Sequence, residues 1–352
     1  MERVTTIVLG GSGYVAGELL RLITAHPFLE LAAAVSDSKP GEAIGSAFPH
    51  LASVYPNTVF HSIDTALQLI TRHSVTAVLS AAPHGVSAEL IDRLLTAATV
   101  AGTHPHVVDI SADYRFRTAA GYQSVYHHAH GAPHRLHEFT CALPEHLGTA
   151  TTRHVSHPGC FATAMLLAVV PLLKLDLVTP SFYISGITGS TGSGRSPTEG
   201  THHPRRHSDL YSYNALAHRH QPEVIAIAKS ITGIECELNF VPHSGPFARG
   251  IHATTQARLK PGVTAADVST ALTSFYSSAP FVRLRDSAPR LKDVVSSNFA
   301  EISVSANEST VAVMSVIDNL TKGAAGGAIQ WMNRLLNFDE TTGLNSPAPG
   351  WT

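Results

Sequence analysis

The chain has 352 residues, 44% of them hydrophobic and 14% charged, with a formal net charge of −2 when its histidines are neutral. That length exceeds one ordinary core and suits two domains of about 150 residues each, while the near-neutral balance excludes a global field that would draw nucleic acid or an anionic membrane. Three cysteines, Cys141, Cys160 and Cys236, stand at no paired spacing, which excludes a disulfide framework and suits the cytoplasm.

Residues 4–9, VTTIVL, read as a short strand, and GGSGYVAGELL (10–20) turns at once into a helical pattern rather than the longer apolar region of a signal peptide. Two overlapping glycine templates fit: Gly11, Gly13 and Ala16, or Gly10, Gly13 and Ala16. Either gives a tight strand-to-helix turn whose N–H groups can approach a pyrophosphate at the helix N-terminus. A second strand, LELAAAV (29–35), ends in SDSKPG, the place where an adenosine ribose is read. There Asp37 favours NAD, whereas Ser36, Ser38 and Lys39 favour the 2′-phosphate of NADP; the set favours NADP. Helices over 64–73 and 87–101 then alternate with strands over 75–82 and 106–111, which means βαβ units and a parallel sheet. The turn AAPHG (81–85) falls at a strand's C-terminal edge, where such sheets bind ligands.

The chain carries 22 histidines. The clusters His127, His128, His130, His134, His137 and His202, His203, His207 lie among Gly, Pro and Arg, without carboxylates at ligand spacing, so they read as solvated loop residues and no metal site is expected. Between the two clusters stands VSHPGCFATAMLLAVVPLL (155–173). A Pro-Gly turn followed by an apolar helical run puts Cys160 in the first turn of a buried helix, interrupted at Pro171 and Lys174 and too short to span a bilayer. Unpaired N–H groups at that turn favour a thiolate, which makes Cys160 a candidate nucleophile beside the plainer reading of a small buried side chain. TGSTGSGRSP (188–197) offers many N–H groups and one cation, Arg195: an oxyanion cradle or an ordinary flexible loop. In YNALAHRHQPEV (213–224), Pro222 suits the first turn of a helix over 222–230, leaving His218 and His220 on a loop at its mouth as candidate proton shuttles.

Strands are expected at 181–188, 236–242, 251–259, 299–306 and 310–317, with one clear helix over 264–278 opened by Thr264 and Asp267. That order gives an α+β domain with a mixed or antiparallel sheet, so the fold class is α/β: a Rossmann-type parallel-sheet domain plus an α+β catalytic domain. A closing helix, about 324–337, packs on a domain through Ile329, Met332, Leu335 and Leu336.

Taken together, GGSGYVAGELL, FPHL (48–51), APHG (82–85), DISADYRF (109–116), LPEH (143–146), PGCFATA (158–164), GSTGSGR (189–195), AHRHQPE (217–223), ARGI (248–251) and DNLTKGAAGGAIQ (318–330) resemble the N-acetyl-γ-glutamyl-phosphate reductases of arginine biosynthesis, in one order over nearly the whole chain. The resemblance implies NADP as cofactor and Cys160 as a nucleophile that forms a thioester, with His218 as acid/base and His220 its rival. It implies Arg115, Arg195 and Glu145 on the substrate's carboxylate or phosphate side. On the cofactor side it implies Gly10, Gly11, Ser12, Gly13, Tyr14, Ser36, Lys39 and Pro83, with Asn319 on the nicotinamide amide. The implied domains are 1–157 with 319–352 for the cofactor and 158–318 for catalysis and dimerisation, in a homo-oligomer, a dimer or tetramer. Its expected partners are an acyl phosphate and phosphate. His157 stands where the family commonly has Asn, and Cys141-Ala142 where it commonly has Tyr-Gly. An N-succinyl-glutamyl or N-acyl-aminoadipyl phosphate would use the same machinery. Aspartate-semialdehyde dehydrogenase shares the thioester logic, and a non-catalytic NADP sensor would need the glycine turn alone.

Overall fold

The computed structural model describes residues 3–351. The chain divides into two compact units. The first takes the chain up to Cys141, then Thr149–His157 and Ala325–Asn345, and the second takes Ala142–Gly148, Pro158–Ala324 and the chain from Ser346 on. Relative to boundaries at 157/158 and 318/319, the segments 142–148, 319–324 and 346–351 side with the second unit.

The first unit begins with β1 (Val4–Leu9), α1 (Tyr14–Thr24), β2 (Leu29–Val35), the short α2 (Ile44–Ala47), β3 (Phe60–His61), α3 (Ile63–Arg72), β4 (Thr76–Ser80) and α4 (Ser87–Ala101). It continues through β5 (His106–Asp109), α5 (Ala119–Tyr126), β6 (Phe139–Cys141) and β7 (His154–Ser156). All seven strands form one parallel sheet in the order β3-β2-β1-β4-β5-β7-β6. Because the order reverses between β1 and β4, the C-terminal ends of these two strands form the switch point at which open parallel sheets bind ligands. Every residue of β4 is buried, as a strand covered on both faces must be, and Ile91, Leu94, Leu95 and Ala98 of α4 are buried at helical spacing.

The second unit holds α6 (Cys160–Lys174), β8 (Val178–Thr188), the short α7 (His203–Arg206), β9 (Tyr211–Ser212), α8 (His220–Thr232), β10 (Glu237–Ser244) and β11 (Ile251–Leu259). Then follow α9 (Ala265–Phe275), β12 (Val282–Leu284), β13 (Ala300–Ala306) and β14 (Thr310–Ile317). Its sheet, β12-β13-β14-β11-β8-β10-β9, is mixed: β8 with β10 and β12 with β13 run parallel, the other pairs antiparallel. Thr264 and Asp267 close a capping box at α9, as their spacing predicts.

Helix α6 packs on β8, β11 and β14 and is buried from Phe161 to Leu173. Gly186 of β8 makes this possible, since a Cβ there would stand 2.6 Å from the Phe161 ring. Contrary to the expected interruption, α6 runs through Pro171 to Lys174. Proline has no N–H for the carbonyl four residues back; the Tyr276 hydroxyl donates to that carbonyl, Leu167 O, at 2.7 Å instead. After β14 the chain makes one π-type turn, Thr321–Ala325, and enters α10 (Gly326–Leu335) of the first unit, where Ile329 and Met332 are buried and Asn333 meets His26 at 2.9 Å. Among the described residues no helix is long and apolar enough to cross a membrane.

Candidate active site

In the first unit the glycine turn follows β1. Gly10 has φ +71°, and a Cβ there would lie 2.5 Å from both Ala81 O and Ala82 N at the end of β4; only glycine combines that backbone with that approach. Gly11 N–H donates to Val35 O at 2.6 Å, while Gly13 caps α1 with no side chain of its own, leaving the helix's N-terminal face open to an anion. Residues far apart in sequence meet here: the Ser36 hydroxyl, at the end of β2, donates to Ser12 Oγ at 3.2 Å and lies 3.4 Å from Ser38. Tyr14 and Pro83 are exposed, and Lys39 pairs with Glu42 at 2.8 Å on the surface. The open space beside Gly13, where an added Cβ would meet nothing nearer than Gly10 O at 3.9 Å, with bare N–H groups at the start of α1, suits a dinucleotide pyrophosphate. Gly17 is an unforeseen member of this region: its missing side chain admits the Phe48 ring, which would stand 2.6 Å from an added Cβ.

The segment Asp109–Phe116 supplies that unit with buried charge. Asp113 accepts from Gly85 N–H at 2.8 Å, Ala88 N–H at 3.0 Å and the Tyr122 hydroxyl at 2.9 Å, so it anchors the Ala-Pro-His-Gly turn to the start of α4. Asp109 accepts from the Ser87 and Ser111 hydroxyls, each at 2.7 Å; burial first, then the neighbouring Asp113 charge, push its carboxyl up to about 6. Arg115, expected on the substrate, is buried, with Nε 3.1 Å from His157 O and Nη2 2.7 Å from Ile110 O. It braces the stretch of chain that ends three residues before Cys160.

In the second unit Cys160 is the first residue of α6, half-buried, after Gly159 as N-cap. Glycine brings no capping side chain, and the Glu223 carboxylate, fully buried in the first turn of α8, takes the Gly159 N–H at 2.7 Å. From the other side comes Gly323 of the π-type turn, where an added Cβ would stand 2.9 Å from the Cys160 Cβ and 3.1 Å from its Cα. Its neighbour Lys322 is completely buried and pairs with Glu145 at 2.5 Å. The Glu145 carboxylate is thus spent on holding the π-type turn, not presented at a surface. His146 beside it meets the Tyr276 hydroxyl at 3.1 Å, and burial drives its imidazole down to about 4.

His218 and His220 are both buried, and His220 is the first residue of α8 rather than a loop residue. The sequence placed the helix two residues late because Pro222, tolerated anywhere in a first turn, stands third. The two imidazoles stack edge-on at 4.7 Å and both lie edge-on to Phe161, the neighbour of Cys160, at 5.7 and 6.4 Å. Burial and then the Arg219 charge push His218 down to about 4, so it is neutral near pH 7. Its Nδ1 accepts the His220 N–H at 3.2 Å, which assigns the proton to Nε2. Tyr213, which sequence reading passed over, packs edge-on to His218 at 5.7 Å. Its hydroxyl is raised first by burial and then by the Cys160 charge.

The Gly-Ser-Thr loop does not present an open cradle. Its N–H groups at Gly189, Ser190, Thr191, Gly192 and Gly194 all donate to backbone carbonyls, and Arg195 lies exposed at its end. Asn319, expected on the nicotinamide, is committed within this unit: Oδ1 accepts Gly250 N–H at 2.7 Å and Nδ2 donates to Thr191 Oγ1 at 3.0 Å. Beside the loop opens a cavity of about 440 Å³, lined among others by Thr188, Ser193, Tyr213, His218 and Arg219. Among the described residues no cluster of three or more His, Cys, Asp or Glu side chains could hold a metal ion.

Residues 5–147 match the NAD-binding domain of semialdehyde dehydrogenases and residues 160–319 their dimerisation domain. Solved structures of aspartate semialdehyde dehydrogenase II from Vibrio cholerae and of a probable aspartate-semialdehyde dehydrogenase from Pseudomonas aeruginosa share the fold. Each has a TM-score of 0.68, with 13% and 16% identity, covering 96% and 95% of this chain and 99% of theirs. The N-acetyl-γ-glutamyl-phosphate reductase of Dehalococcoides mccartyi is 35% identical over 353 residues, 99% of either chain, and that of Methanosarcina barkeri 36% over 350 residues, 97% of this chain and 98% of its own. A putative [LysW]-L-2-aminoadipate/[LysW]-L-glutamate phosphate reductase of Aeropyrum pernix is 34% identical over 353 residues, 97% of either chain. Likeness of this degree along essentially the full length places the chain in the N-acetyl-γ-glutamyl-phosphate reductase family, oxidoreductases with a nicotinamide-binding unit of the semialdehyde dehydrogenase kind.

Proposed function

We propose that the protein reduces N-acetyl-γ-glutamyl phosphate to N-acetylglutamate semialdehyde with NADPH, through a thioester on Cys160. The observation that carries this reading is the cysteine at the first position of α6, held between Glu223 at its N-cap and Gly323 against its Cα. A helix N-terminus favours a thiolate. The sulfur attacks the acyl carbon, the C–S bond forms, the C–O bond to phosphate breaks, and the departing phosphate takes up the proton that the overall reaction consumes. Gly10 to Gly13 would hold the pyrophosphate of the cofactor, whose nicotinamide would supply the hydride. The resulting oxyanion on the Cys160 adduct accepts a hydrogen bond from Nε2–H of neutral His218, and its collapse expels the aldehyde and restores the thiolate. Ser12, Ser36 and Lys39 support NADP over NAD, and the match of 160–319 to a dimerisation domain supports a homodimer. A reactive thiol kept out of any disulfide suits the cytoplasm.

A second reading has its own support: the Aeropyrum relative, named for aminoadipate and glutamate phosphates on a carrier, is as similar as the acetyl-glutamyl enzymes. One experiment tests both. N-acetyl- and N-succinylglutamate semialdehydes and the aminoadipate homologue are each offered with phosphate and either NADP or NAD, and reduction of the cofactor is followed. Turnover is expected with the acetyl substrate and NADP. Cys160→Ser is expected to abolish it, and His218→Ala to slow it by about 10²–10³. Turnover surviving Cys160→Ser would reject the thioester, preference for another aldehyde or for NAD would replace the substrate or cofactor, and NADP binding without any turnover would leave a sensor.

A further inference from the structure

Of the substrate cations that the sequence suggests, Arg115 donates to the buried His157 and Ile110 carbonyls and Arg195 lies exposed, while the N–H groups of the Gly-Ser-Thr loop go to backbone carbonyls of the loop and of Phe247, Ala248 and Gly250. An acyl phosphate nevertheless brings a dianion to the reacting carbon, and leaving-group charge there must be met. The cavity of the second unit answers this. Its wall carries hydroxyls from Thr188, Ser193 and Tyr213, the His218 imidazole and a single cation, Arg219, and no carboxylate. Among the described residues no carboxylate or carbonyl pairs with the Arg219 guanidinium, and Glu223, the acidic residue in the first turn of the helix that Arg219 caps, is turned to the Gly159 N–H.

We infer that Arg219 is the anion-binding residue of this cavity and that its ligand is the phosphoryl group of the acyl phosphate, or inorganic phosphate in the reverse direction. The inference rests on the reading that Cys160 forms a thioester. Phosphate is the anion indicated, rather than the substrate's distal carboxylate, because Arg219 shares the cavity wall with His218 and Tyr213, and His218 lies edge-on to Phe161, the neighbour of Cys160, at 5.7 Å, which puts the guanidinium at the reacting end. A guanidinium offers paired N–H donors matched to phosphate oxygens. In the phosphorolytic direction a phosphate oxygen attacks the thioester carbon, the new C–O bond replaces the C–S bond, and the thiolate leaves; Arg219 places the attacking phosphate. In the reductive direction it neutralises the charge that the departing phosphate gains.

The test uses the full-length wild type, Arg219→Met and Arg219→Lys, with inorganic phosphate as the probe. Steady-state kinetics with the semialdehyde and NADP should show the phosphate KM raised about tenfold or more in Arg219→Met, partly restored in Arg219→Lys, with the aldehyde KM within about twofold. Independently of turnover, phosphate should raise the Tm of the wild type and fail to raise that of Arg219→Met. An unchanged phosphate KM and Tm response would overturn the assignment, and a raised aldehyde KM instead would give the cation to the carboxylate. A wild type that is stabilised by phosphate through Arg219 yet turns over no aldehyde would leave this site standing and remove the reaction proposed above.

Discussion

Gly323 shows how tightly one position can be specified by a reacting neighbour. An added Cβ would come 2.9 Å from the Cys160 Cβ and 3.1 Å from its Cα, and backbone at that distance cannot step aside as a flexible side chain would. Gly323→Ala is therefore expected to push the nucleophile off its position. Displacements of this size cost roughly 10–100-fold in rate, and overpacking adds roughly 1–3 kcal/mol of lost stability. Iodoacetamide labelling of Cys160 and a denaturant melt separate the two effects, and labelling and turnover at wild-type rates would show that the turn gives way. The residue was visible in the sequence only as part of Asn-Leu-x-Lys-Gly; that its empty side faces Cys160 belongs to a contact between residues 163 positions apart.

Helix α6 raises the corresponding question for an element. Its composition announced a buried helix and its Pro-Gly entrance announced the start, since Gly159 is indeed the N-cap. Pro171 announced an end that does not occur, because the carbonyl it orphans is satisfied by Tyr276, the C-cap of α9, and Tyr276 is in turn met by His146. Tyr276→Phe should cost about 1–3 kcal/mol, the usual penalty for a buried carbonyl left without a donor. Pro171→Ala in that background should recover part of it by restoring an N–H to Leu167 O. Urea midpoints of the wild type, Tyr276→Phe and the double variant check this; a Tyr276→Phe protein as stable as the wild type would mean that the helix tolerates the orphan.

For the protein as one titrating body, the buried histidines set the response to acid. Burial lowers His146 and His218 to about 4 and His154 to about 3, whereas an unfolded chain protonates them near 6.5. Below that value the unfolded chain binds protons that the folded protein refuses, so stability present above pH 6.5 is lost as the pH falls toward 4. Asp109, raised to about 6, works in the opposite sense: its ionisation costs stability above pH 6, and that cost is relieved as the pH falls toward the ordinary aspartate range. With three histidines against one aspartate, Tm should drop between pH 7 and pH 5, and a Tm that is flat or rising over that range would contradict the burial assigned to these rings.

Local pattern sufficed for the parts of this protein that depend on local physics. The bounds of β1, β2, α4, β11 and β14, the α9 capping box and the placing of Cys160 at a helix start follow from periodicity, caps and turn residues within a few positions. The glycine turn was equally legible, because a positive φ beside another strand admits no other residue. What stayed hidden were the partners of long polar side chains. Glu145 was read as a substrate ligand and is paired with Lys322, 177 positions away, while Arg115 and Asn319 are occupied by backbone groups 42 and 69 positions away. A buried charge or amide must find a partner somewhere, but which one it finds depends on how distant segments cross in the folded chain, and no spacing in the sequence encodes that crossing.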